Sequence, residues 1–174
     1  MIRILISELG EAECEGVLRS ISSDLGADTP VSRTLELRAG EKVADRLQGM
    51  GTLPVGAAVI TPAGDLPAGF LIHAVLQSRE EPVRTGTIRS ALTNGLRRAQ
   101  EWGLASLALP PLGMGAGNLE AEDSAQAMIP VLLEHLQRGD PPREIVIAVT
   151  STYEEDVFLR AVELAQRHPS AQEH

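Results

Sequence analysis

Aromatic side chains are nearly absent from this chain: one Trp, one Tyr and two Phe among 174 residues, or 2%. A hydrophobic core must therefore be assembled from Leu, Val, Ile and Ala. Cysteine is scarcer still. Cys14, the only one, excludes an internal disulfide and any multi-thiolate metal site. Its neighbours Glu13 and Glu15 carry the wrong sign for a reactive thiolate, so Cys14 reads as a strand-borne core residue. Lysine is represented by Lys42 alone, and 15 basic against 24 acidic residues leave a formal net charge of −9. That balance argues against long-range attraction to nucleic acid or to an anionic membrane. A negatively charged ligand would have to be held by local backbone dipoles. No apolar run approaches the roughly 18 residues of a membrane span. The start "MIRILISELGE" turns acidic without a signal-peptide pattern, and no His, Cys or Asp spacing suggests zinc. The expectation is a cytoplasmic protein that needs no cofactor and no metal.

What is present is 43% hydrophobic residues, enough for one domain to bury a real core. That domain is expected over residues 1–167, with 168–174 as a disordered tail. Residues 2–7 and 15–22 read as strands. Val31, Leu35, Val43 and Leu47 lie near helical spacing, and "GMG" at 49–51 stops that pattern. "VGAAVIT" and "FLIHAVL" are strand-like around the turn-rich "PAGDLPAG". Ile88, Ala91, Leu92, Ala99 and Trp102 share a helical face, with Gly103 as the residue that ends it. "SLALPPL" is a further strand. Ala125, Met128, Ile129, Leu132, Leu133 and Leu136 then mark a helix that Pro130 should kink. "EIVIAVT" has the unbroken apolar run of a strand buried on both faces, and Val157, Phe158, Ala161, Val162 and Ala165 mark a last helix. Strands alternating with helices specify a three-layer α/β/α domain.

One stretch carries more than fold. In "LALPPLGMGAGNLEAED", residues 107–123, Gly113, Gly115 and Gly117 alternate between a strand and a helix. In an open α/β sheet, ligands sit at the carboxyl ends of the strands. Backbone N–H groups of Gly113, Met114, Gly115, Ala116 and Gly117 could face an anion there without any Lys or Arg. The spacing is neither a P-loop nor a dinucleotide fingerprint, and by itself a glycine run more often serves as a plain tight turn than as a ligand loop.

The wider pattern adds information. "LPVGAAVITPAGDLPAGFLIHAVL", then "SLALPPLGMGAGNLEAEDSAQAM", then "EIVIAVTSTYEEDVFLRAV" resembles the macro domain family. The resemblance implies a mixed sheet between helices and binding of ADP-ribose or a related nucleotide diphosphate, free or on an ADP-ribosylated macromolecule. It gives the glycine loop the diphosphate and proximal ribose. Glu8 falls where the family has an Asp for the adenine amino group, and Leu9 adjoins it. Arg19 and Ser22 replace an Asn pair. The family's first glycine run retains only Gly26, beside Asp28 and Pro30. Ser32 stands where an Asp used in hydrolysis often follows, and Thr150 where an aromatic ring commonly stacks, with Tyr153 about one turn later.

Three functions follow as alternatives: a nucleotide-binding module, a divergent ADP-ribosyl hydrolase using Ser22 or Asp28 to position water, or a macro fold kept for protein–protein contact, its pocket closed by Arg19 or Asp28. His73, within an apolar strand, is expected to be a hydrogen-bonded structural residue.

Overall fold

The computed structural model describes residues 1–115 and 119–168. Its strands are β1 (Ile2–Ile6), β2 (Gly16–Ser22), β3 (Ala58–Pro62), β4 (Phe70–Gln77), β5 (Ser106–Leu109) and β6 (Glu144–Val149). Its helices are α1 (Pro30–Ala39), α2 (Glu41–Gln48), α3 (Thr85–Glu101), α4 (Ala121–Arg138) and α5 (Thr152–Arg167), with a 3-10 turn at Leu9–Glu11. The sheet order is β1-β6-β5-β2-β4-β3. Every pairing is parallel except that of β3 with β4. This is the mixed sheet of the expected α/β class.

The period-2 alternation of the strands builds the layers. Leu107, Ile145 and Ile147 point into one core with Ile88 and Leu92 of α3, Met128 and Leu132 of α4 and Phe158 of α5. The intervening Ala108, Val146 and Ala148 meet Leu35 and Ala39 of α1 and Val43 of α2 on the other face. Burial on both faces explains why residues 145–149, "IVIAV", are unbroken by polar residues after the exposed Glu144. Leu35 is 1% exposed; burying such a side chain contributes roughly 2 kcal/mol and draws α1 down on β2.

Two details differ from the sequence reading. The helical pattern from Val31 is two helices, not one. Gly40 turns the chain with φ +96, and the Asp65 N–H takes the Ala39 carbonyl at 2.9 Å. The turn supplying Asp65 packs so closely that a Cβ on Gly64 would lie 2.1 Å from that carbonyl. Trp102 does not join the buried face of α3. It caps the helix, 58% exposed, and tilts against Phe70 at 5.1 Å. Pro130 lies inside α4, and Gly103 ends α3 with φ +65. The expected tail falls outside the described residues from 169 onward.

Candidate functional site

A cleft of about 630 Å³ opens at the carboxyl ends of the parallel strands. Ile6 and Val149, the last residues of β1 and β6, form its floor with Ser20 of β2 and Pro110 after β5. One wall is α1, through Thr29, Pro30, Val31, Thr34, Leu35 and Arg38. Met114 and Gly115 of the glycine loop close one end; Glu8, Leu9 and Gly10 line another part. Among the described residues, three charged ones line it: Glu8, Arg38 and Glu154. Glu154 accepts from the Thr150 and Ser151 hydroxyls at 2.6 and 3.0 Å, and Glu8 accepts from Arg38 at 3.3 Å. An anion in the cleft would therefore rely on backbone N–H groups. In the first turn of α1, Pro30 has no N–H and that of Ser32 goes to Thr29 Oγ1 at 3.0 Å, which leaves that of Val31.

Beneath the α1 wall lies a buried polar network. Arg19, fully buried on β2, donates from Nε to His73 Nδ1 at 2.8 Å. Its other nitrogens reach the Ser32 hydroxyl at 3.4 Å and Glu36 Oε1 at 3.4 Å. Ser32 Oγ donates to the Ser20 carbonyl at 2.6 Å. Because Arg19 fills the acceptor side of His73, the ring proton sits on Nε2 and is donated to Thr61 Oγ1 at 2.9 Å. The Thr61 hydroxyl in turn donates to the Pro62 carbonyl at 3.0 Å. Burial, then the Arg19 charge, pushes His73 well below the ordinary value of 6.5. Burial also lowers Arg19, opposed by Glu36 and Asp28.

The family model for the macro domain matches residues 20–128. The chain belongs to the macro domain family. A macro domain-containing protein of Caldanaerobacter subterraneus is 25% identical over 168 residues, covering 93% of this chain and 95% of its own. The macrodomain of Oceanobacillus iheyensis superposes with a TM-score of 0.85 at 17% identity, over 94% of this chain and 91% of that one. A Trypanosoma brucei macrodomain in complex with ADP-ribose gives 0.83 at 15% identity, over 92% of this chain and 68% of that one. Against an uncharacterised Mycobacterium tuberculosis relative the chain spans 44% of the partner's length.

In this macro domain Glu8, Leu9, Met114 and Gly115 line the cleft. Gly113 lies behind it, packed on Ile88, Leu119 and Val83. Ala116 and Gly117 are outside the described residues. Ser22 is placed elsewhere. It lines a separate hollow with Ser23, Asp24 and Gln77, because β2 bulges at Ile21/Ser22 and the Ser22 N–H and hydroxyl both turn to the Gly26 carbonyl. Asp28 also turns elsewhere. Its carboxylate accepts from Ser20 Oγ at 2.7 Å and Gln77 Nε2 at 3.4 Å and is not among the residues facing the cleft. Burial, the largest influence, raises its pKa. Neither Arg19 nor Asp28 closes the cleft. Tyr153 is 58% exposed and donates to Glu122, away from the cleft. Sequence reasoning missed Thr34, midway along α1, and Arg38, in its last turn before Gly40.

His73 makes stability pH-dependent. Its folded pKa lies below the unfolded one, so the unfolded chain binds more protons once pH falls below about 6.5. The stabilising neutral form is fully retained above that value, and stability falls on acidification by up to about 1.4 kcal/mol per pH unit. Asp28, raised above its ordinary 3.8, acts with the opposite sign nearer the carboxylate range. Urea titrations at pH 7.5, 6.5 and 5.5 should give falling unfolding free energies. A flat profile would mean that His73 titrates normally.

Proposed function

We propose that this macro domain binds ADP-ribose or a related nucleotide diphosphate in the cleft, with the diphosphate between the first turn of α1 and the glycine loop. The observation that carries this reading is the placement of Gly115. It has φ +90 and faces Thr29 and Pro30 across the cleft end, 3.6 and 3.7 Å from where a Cβ would stand. The loop backbone at Gly115 thus approaches the start of α1 across only the short Thr29 and Pro30 side chains, and backbone N–H groups at that end would serve a charged group with no basic partner there. Family membership supports it, as does the ADP-ribose held by the Trypanosoma brucei neighbour. Glu8 and Leu9 serve the base end, and an ADP-ribosylated macromolecule would present the same group.

Calorimetric titration with ADP-ribose, AMP and NAD at two salt concentrations is the test. Micromolar binding of ADP-ribose, tighter than AMP, is the expected result. An absence of heat and of thermal shift with all three would overturn the reading.

A further inference from the structure

We infer that Arg38 is the stacking surface for the flat heterocycle of the ligand, a guanidinium plane in place of an aromatic ring. The inference rests on the nucleotide reading above. Among the described residues lining the cleft none is aromatic. The chain's four aromatic residues are all placed elsewhere. Phe158 is fully buried and Trp102 tilts on Phe70, while Tyr153 is held by Glu122.

Arg38 has the attributes of a platform. It closes the last turn of α1, and two carboxylates fix its head: Glu8 at 3.3 Å and Glu11 at 4.0 Å. The guanidinium lies against Gly10, where a Cβ would come 3.0 Å from Nη1 and 3.3 Å from both Cδ and Cζ. One side of the plane is thus packed on backbone. The side chain remains 38% exposed and lines the cleft beside Leu9 and Leu35. A guanidinium is planar and weakly hydrated, so it stacks on π-systems where an ammonium does not. Between Thr29 and Arg38, α1 advances nine positions, roughly 13 Å at its usual rise. Phosphate and base thereby receive separate ends of one cleft.

The test is titration of ADP, GDP and pyrophosphate into the parent protein and into Arg38→Lys, Arg38→Met and Arg38→Tyr, each checked for an unchanged melting temperature. Lys and Met should weaken ADP and GDP in parallel, by roughly three- to tenfold. Tyr should recover parental affinity to within about twofold. Pyrophosphate, which has no ring, should bind Arg38→Lys like the parent. Full affinity in Arg38→Lys would overturn the inference, since charge alone would suffice. So would Arg38→Tyr no better than Arg38→Met, or a loss confined to one base, which would mean hydrogen bonding to a ring edge. Tight parental binding with all variants equal rejects only the role of Arg38; a parent that binds neither ADP nor ADP-ribose rejects the nucleotide reading and this inference together.

Discussion

Replacing Arg19 by Ala is expected to cost about 3 kcal/mol of folding stability, because it removes one partner of a buried pair and strands the others. His73 Nδ1 would lose its donor and Ser32 a bond at the first turn of α1. Glu36, whose side chain is 27% exposed, would recover some hydration, which holds the figure at the lower end of the range for broken buried pairs. For a domain of this size the loss corresponds to a fall in melting temperature of roughly 6–12 °C. Arg19→Met, which keeps most of the buried volume and no charge, should cost less. Thermal unfolding of the two variants decides the matter. Equal, small losses would mean that Arg19 is a tolerated passenger in the core and that α1 is held by Leu35 and its apolar neighbours.

Gly115→Val is expected to abolish most nucleotide binding, lowering affinity at least tenfold, while the domain stays folded. At φ +90 a β-branched residue is strained by roughly 1–3 kcal/mol. The loop would relax by rotating its N–H groups away from the cleft, and the new side chain would project where the phosphate is to lie. Gly113→Ala should behave in the opposite manner. Its Cβ would stand 2.8 Å from both Ile88 Cδ1 and Leu119 Cδ1, inside the core, so the cost of about 2 kcal/mol falls on stability. Measuring urea stability and ADP-ribose affinity on both variants separates the effects. A folded Gly115→Val protein with parental affinity would show that the glycine cluster is a turn and nothing more.

These contrasts mark where the sequence was legible. The layers could be read from it because each element carries its own pattern: "IVIAV" at 145–149 is apolar throughout, and α4 repeats Ala125, Met128, Ile129 and Leu132. The break at Gly40 could not, because what ends α1 is a bond from Asp65, a residue remote in sequence. An Arg within a strand gives no sign of burial until His73 and Thr61 on two other strands, and Ser32 and Glu36 on a helix, are brought around it. Arg38 was overlooked for a related reason. Read as the middle of one long helix it has no address; as the last full turn before Gly40 it faces Glu8. The glycine cluster could be singled out because a local backbone requirement for glycine leaves a local mark.

The same interior bonds make the two sides of the cleft mechanically unequal. The α1 side is bolted to the sheet by a guanidinium, two serines and, through Asp28, a strand on the far side of β2. The opposite side hangs differently: the Leu112 N–H donates to the sulfur of Met128, 3.2 Å away, and Ser124 Oγ donates to the same atom at 3.3 Å. Thioether sulfur is a weak acceptor, so this suspension yields at far smaller cost than a bond to a charged group. Polar anchoring is therefore concentrated on the α1 side, while the other side rests on apolar packing, with Leu112 1% exposed and Gly113 set against Ile88 and Leu119.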